Sequence, residues 1–154
     1  MEVKIKILNR NGKLPTQGTM GSAGWDVYAS ENCDLAVGEW KKINLGIALE
    51  IPPQLCALLV KRSGMAAKQG VCGQEGLIDS DYRGEVGMTL VNHGNQSYGV
   101  QVGDRIGQLL FLPKVNVYLQ PVVTLQDTTR GKHGFGLLAN NCWCNKGEVG
   151  KINI

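Results

Sequence analysis

The sequence predicts an all-β fold, a distorted β-barrel or jelly-roll-like sandwich with at most one short helix and a flexible C-terminal arm. Three observations predict it. Among 154 residues 21 are glycine, far more than helices tolerate and suited to a chain that turns often. Aromatics make up 6% of the chain within a hydrophobic fraction of 43%, so the core has to be built chiefly from Val, Ile and Leu. Finally, short runs of alternating apolar residues recur between Gly, Pro and Asn punctuation, whereas helical periodicity surfaces only once.

Residues 3–8 alternate apolar and basic side chains, residues 41–51 read as one alternating strand, and residues 55–60 are a short apolar run. The single helix is expected over residues 63–68, where Ser63 is placed to cap a turn rich in Met and Ala. Further strands are expected at residues 85–91, 98–102, 106–112 and 115–123, each closed by Gly, Pro or a polar turn. From Asp127 the apolar pattern thins, with Thr128, Thr129, Gly131, Gly134 and Gly136. The expected organisation is therefore a β domain over residues 1–126 and an arm over residues 127–154, with neither internal repeat nor low-complexity linker.

Composition narrows the function classes. Sixteen basic and 13 acidic residues leave a net charge of +3, spread without a run. This is too weak a field for polymeric nucleic acid but compatible with a small polyanion. The five cysteines (Cys33, Cys56, Cys72, Cys142, Cys144) are odd in number and lack a CxxC pair, which argues against a disulfide framework and for a reducing compartment. With no run of 18 apolar residues and no hydrophobic targeting region, the expectation is a soluble intracellular protein, cytoplasmic or nuclear, without a membrane partner.

Three segments offer chemistry. Gly76-Leu77-Ile78-Asp79-Ser80-Asp81-Tyr82-Arg83-Gly84-Glu85-Val86 sets carboxylates and a tyrosine on a tight turn; an Asp held there can orient a water as general base, although Asp and Gly favour turns on their own. Lys61-Arg62-Ser63-Gly64-Met65-Ala66 offers a guanidinium, a hydroxyl and free backbone N–H groups, a corner fit for phosphate and equally for a plain helix start. Arg130-Gly131-Lys132-His133-Gly134-Phe135-Gly136 joins basic residues to one aromatic, suited to phosphate and base or simply to a basic tail. His133, Cys142 and Cys144 lack the spacing of a structural zinc site.

Taken in order, and together with Ala23-Gly24-Trp25-Asp26-Val27 and Gly103-Asp104-Arg105-Ile106-Gly107-Gln108, these segments resemble the five motifs of the homotrimeric dUTP pyrophosphatase (dUTPase) family. The resemblance implies the distorted barrel of that family. It also implies hydrolysis of dUTP to dUMP and pyrophosphate with Mg²⁺, which limits uracil in DNA and supplies dUMP for thymidylate synthesis. Asp79 would orient the water that attacks the α-phosphorus and would accept a hydrogen bond from the sugar 3′-hydroxyl. Tyr82 would pack on the deoxyribose and exclude a 2′-hydroxyl. Backbone groups of the hairpin from Gly73 through Leu77 and Ile78, with Gly87 nearby, would read the uracil edge. Arg62, Ser63, Gly64, Gln108 and Arg130 would hold phosphates, and Asp26 would reach the metal through water. Phe135, with Gly136, would close on the uracil from an arm usually given by a neighbouring subunit.

The chain departs from the family in places. Leu137, Leu138 and Ala139 follow Gly136 where hydroxyl residues normally grip the γ-phosphate, which predicts a weaker grip and a larger share for Arg130. Gly73 brings no side-chain amide, Lys61 replaces a proline, and residues 140–154 extend past the minimal pattern, in a region where viral members vary. Two rival readings follow. A dCTP deaminase shares the fold, but its cytosine site needs a catalytic carboxylate where this chain shows the pyrophosphatase pattern Ile78-Asp79-Ser80-Asp81-Tyr82, and a catalytically weakened member would serve as a nucleotide-binding or signalling module.

Overall fold

A computed structural model describes residues 1–132. Among the described residues twelve strands and one helix follow one another as β1 (Lys4–Ile7), β2 (Thr16–Gln17), β3 (Trp25–Tyr28), β4 (Cys33–Leu35), β5 (Trp40–Asn44), β6 (Ile47–Glu50), β7 (Leu55–Val60), α1 (Ser63–Gln69), β8 (Val71–Gly73), β9 (Gly76–Ile78), β10 (Gly87–Asn92), β11 (Tyr98–Val100) and β12 (Arg105–Pro113). The all-β class expected from the sequence is the one adopted, with the strands divided among four sheets. The largest has the order β2-β3-β12-β7-β9; a second has β5-β10-β8; β1-β6 and β11-β4 are separate pairs.

The alternation that marks these strands in the sequence is their burial pattern. Along β7, Leu55, Ala57 and Leu59 are buried while the residues between them are partly exposed, and β10 alternates in the same way through Met88, Leu90 and Asn92. One core, rich in Leu, Ile and Val and including Leu35, Ile43, Leu49, Met88 and Leu109, lies under all four sheets. Backbone bonds join the sheets where strands leave off, as in Leu45 N–H to the Val86 carbonyl at 3.0 Å and Val86 N–H to the Ile47 carbonyl at 2.9 Å. The fully buried Asn92 amide is satisfied by the carbonyls of Leu35 (3.0 Å) and Gln96 (2.9 Å) and by the Gly94 N–H (2.9 Å), as a buried polar group must be.

Several details differ from the expectation. The single strand expected over residues 41–51 is two, β5 and β6, because Gly46 takes a left-handed φ of 66° between them. Ser63 is the first residue of α1 rather than its cap: Arg62 holds the N-cap position in an extended conformation, and no side chain bonds the free N–H groups. Residues 115–123 form no strand; Val115, Val117, Tyr118 and Leu119 are all at least 74% exposed, so among the described residues the alternation has no partner strand to pair with. Strands β2, β3, β4, β8 and β9 are additions to the expectation, all four residues or shorter.

Residues 1–116 form one compact unit and a second begins at Val117. In the described part of the second unit, residues 117–132 contain no helix or strand, and a turn is closed by Gly131 N–H bonded to the Thr128 carbonyl at 3.0 Å. Among the described residues no helix is long and apolar enough to cross a membrane, and Cys33, Cys56 and Cys72 are free thiols.

Candidate functional site

The five-stranded sheet carries two clusters of polar residues. The first is centred on Asp26 of β3. Pairing of β3 with β12 puts Gln108 directly opposite Asp26, and pairing of β12 with β7 puts Val60 opposite Gln108, two residues before Arg62. Residues 82 positions apart thus meet because of strand register. The Asp26 side chain is only 8% exposed. Its Oδ1 lies 3.4 Å from Arg62 Nε and accepts from Gln108 Nε2 at 3.2 Å, while Oδ2 accepts from Arg105 Nη1 at 3.2 Å. Arg62 Nη1 also donates to the Arg105 carbonyl at 2.8 Å. A nearly buried carboxylate compensated by two guanidiniums and an amide is a satisfied charge centre.

Arg105 is a member of this cluster that the sequence reading leaves without a role, although it stands inside the fourth motif. It reaches Asp26 through an irregularity in the ladder: the register of β12 against β3 shifts between Arg105 and Gly107, and the intervening Ile106 is buried at 1% exposure. A bulge of this kind re-aims neighbouring side chains. Gly24 contributes by lacking a side chain, since a Cβ there would stand 3.3 Å from both Cβ and Cδ of Gln108.

Ser63 and Gly64 follow Arg62 at the start of α1, both exposed. A Cβ on Gly64 would meet nothing within 4 Å, so the fold itself has no need of glycine there, and the open backbone is accessible to a ligand.

The second cluster is a cleft of about 230 Å³ between β9 and the turn after it on one side and β5 and β10 on the other. It is lined by Leu77, Ile78, Asp79, Tyr82 and Gly87, to which the sequence assigns roles, by Glu85 of the same segment, which it leaves without one, and by Lys42, which it does not single out. Asp79 follows the last residue of β9, and its backbone carbonyl accepts from Tyr82 N–H at 3.2 Å, closing the turn. Among the described residues no donor is bonded to the Asp79 carboxylate, which therefore stays open to water or to a bound molecule. Tyr82 is fixed from two directions: its hydroxyl donates to the Glu85 carbonyl at 3.1 Å, and its ring covers Gly84 so closely that a Cβ there would overlap it.

Gly73, at the end of β8 opposite Leu90, does not line this cleft. A Cβ on Gly73 would run into the terminal methyl of Met88, so the absent side-chain amide is matched by a buried methionine filling its place. Gln74 N–H is bonded to the Thr89 carbonyl at 2.7 Å. Arg130 is exposed in the second unit. Phe135 and Gly136, together with Leu137, Leu138 and Ala139, lie outside the described residues, as do His133 and residues 140–154.

Among the described residues no three His, Cys, Asp or Glu side chains gather into a metal cage. The donor set fits a different arrangement, in which a hard divalent cation is carried on substrate oxygens and meets at most one protein carboxylate; Mg²⁺ typically keeps several waters and binds in this way. Asp26, with its two arginines, fits an outer contact of that kind.

Comparison with known proteins adds four findings. A family model described as dUTPase matches residues 10–137. The chain is 44% identical over 139 residues to a deoxyuridine 5′-triphosphate nucleotidohydrolase of an Anaeromyxobacter species, covering 87% of this chain and 95% of the relative. It is 38% identical over 138 residues to the Yarrowia lipolytica protein of the same name, covering 88% of each. Its fold matches the dUTPase of Staphylococcus bacteriophage 80alpha with dUpNHpp at a TM-score of 0.83 and 26% identity, over 88% of this chain and 96% of that one.

Proposed function

The chain belongs to the dUTPase family, and from that premise we propose that its two polar clusters bind and hydrolyse the nucleotide. It is a dUTP diphosphatase, converting dUTP to dUMP and pyrophosphate. The observation that carries the reading is the cleft in which Asp79 and Tyr82 face the same space beside Leu77, Ile78 and Gly87.

In this reading Asp79 is the catalytic residue. Its unbonded carboxylate takes a proton from a water whose oxygen attacks the α-phosphorus; the bond from that phosphorus to the bridging oxygen breaks and pyrophosphate leaves. Removal of such a base is typically worth roughly 10²–10⁴ in rate. Tyr82, held against Gly84 and Glu85, forms a fixed wall for the deoxyribose, so discrimination against a 2′-hydroxyl is steric. Uracil is read by backbone groups of Gly76 to Ile78 and by Gly87, which line the cleft; Gly73 is assigned to the base by family resemblance, and the Gln74 N–H beside it is already committed to Thr89.

Phosphates are assigned to Arg62, Ser63, Gly64 and Gln108. Arg62 and Gln108 also hold Asp26, so phosphate binding and metal contact share one network. When Mg²⁺ is bound it neutralises triphosphate charge; Asp26 would touch it through water. Arg130, Phe135 and Gly136 are assigned to phosphate and base by family resemblance. A homotrimer with sites shared between subunits is supported by the exposed apolar residues Val115, Val117, Tyr118, Leu119, Val122, Val123 and Leu125, a surface of the kind a further copy covers.

The test is pyrophosphate release from dUTP with Mg²⁺, run beside dCTP, dTTP and UTP, for the wild type and Asp79→Asn. Release confined to dUTP and lost in the variant is expected; equal release from UTP would remove Tyr82 from its role, and none from dUTP would overturn the reading.

A further inference from the structure

We propose that Lys42 is a base-specificity residue, its ammonium donating a hydrogen bond to a carbonyl oxygen of the uracil ring; the inference rests on the reading above and deepens it. Lys42 lies on β5 opposite Thr89 of β10, and its neighbours in the cleft are Gly76, Leu77, Gly87 and Asp79. The flanking Ile43 points into the core at 1% exposure, so alternation turns Lys42 to the other face of the strand.

Gly87 is what lets the side chain lie there. A Cβ on Gly87 would fall on Lys42 Cε and stand 3.2 Å from Lys42 Cγ and from the Ile43 carbonyl. The lysine stem thus crosses directly over the Gly87 backbone, and its ammonium is delivered to the side of the cleft that Gly87 forms.

The ammonium has a donor surplus. Asp79 and Glu85 are the acidic groups lining the cleft with it, yet among the described residues Lys42 forms no ion pair or hydrogen bond. Glu85 Oε1 is occupied by Gly46 N–H at 3.1 Å. A ligand entering the cleft therefore meets three N–H donors on the side formed by Lys42 and Gly87. Uracil presents two carbonyl oxygens, and a donor arriving from β5 to meet one of them is charge-assisted.

The experiment compares wild type and Lys42→Met, which keeps the stem and removes the ammonium, on dUTP, 2-thio-dUTP and 4-thio-dUTP with Mg²⁺. We expect KM for dUTP to rise about tenfold in the variant with little change in kcat, the worth of a partly exposed charge-assisted bond. Sulfur accepts hydrogen bonds weakly, so one thio-analogue should carry a KM penalty in the wild type that Lys42→Met no longer shows, and the analogue affected identifies the oxygen. An unchanged KM in the variant, or the same thio-penalties in both enzymes, overturns the role of Lys42 while leaving dUTP hydrolysis standing. A wild type inactive on dUTP overturns the underlying reading and this inference with it. A shared melting temperature establishes that the variant is folded.

Discussion

The Asp26 knot and the Asp79 cleft hang from the same five-stranded sheet, yet their carboxylates are treated in opposite ways. Asp26 is nearly buried and bonded on both oxygens by Arg62, Arg105 and Gln108. Asp79 is exposed, stands at the end of a three-residue strand, and has no donor among the described residues. A satisfied carboxylate fixes positions and resists loss; an unsatisfied one at a cleft is available for chemistry. The sheet thus supplies one residue that organises and one that reacts, and the contrast can be tested by treating the two alike.

The largest effect should come from Asp79→Asn. Turnover of dUTP should fall by roughly 10²–10⁴ with the thermal midpoint unchanged, since the carboxylate bonds nothing among the described residues. Next comes Asp26→Asn, which leaves Arg62 and Arg105 facing a neutral group. The contrast predicts a stability loss of about 1–3 kcal/mol, read as a lower urea midpoint with an unchanged slope. A variant as stable as wild type would mean the knot is held by its surroundings rather than by its charge.

What the sequence reveals of this arrangement follows from where the information lies. Strands β7, β10 and β12 are legible because each is long enough to alternate and buries one face in the core. Strands β3, β8 and β9 are not, since Trp25-Asp26, Cys72-Gly73 and Gly76-Leu77 carry too few apolar residues to repeat; their pairing comes from neighbours far along the chain. The run at residues 115–123 has the right alternation but no partner strand among the described residues, and alternation alone says nothing about partners. Asp79, Tyr82, Arg62 and Gln108 can be picked out because their motifs are local. Arg105 and Lys42 cannot, because one depends on a bulge and the other on a side chain crossing from β5 to Gly87. The absence of a side chain at Gly73 becomes intelligible only once Met88 is seen in its place.

A smaller effect sharpens the cleft half of the comparison. Gly84→Ala places a methyl where the Tyr82 ring lies, so the ring must swing away and break its bond to the Glu85 carbonyl. The ratio of kcat/KM for dUTP over UTP should fall by roughly tenfold, the scale of steric discrimination in a pocket. If Tyr82 instead acted through its hydroxyl, Tyr82→Phe would reproduce the loss; on the steric reading it should not.

The smallest effect is expected where a carboxylate is paired but exposed. Lys4 and Glu50 meet at 2.8 Å across β1 and β6, with their side chains 66% and 51% exposed. The Glu50 carboxyl is held below its ordinary value of 4.5, chiefly by the hydrogen bond from Lys4, and Lys4 is raised above 10.5 chiefly by Glu50. Any stabilisation from Glu50 is therefore present above pH 4.5 and is lost as pH falls through the lowered value; that from Lys4 is present below pH 10.5 and is lost as pH rises through the raised one. Water and salt screen such a pair almost completely. Glu50→Gln should leave the thermal midpoint at neutral pH indistinguishable from wild type, with any difference at low ionic strength vanishing on acidification. A shift as large as that of Asp26→Asn would show that ion pairing itself stabilises this fold, and the contrast between knot and cleft would then owe nothing to burial.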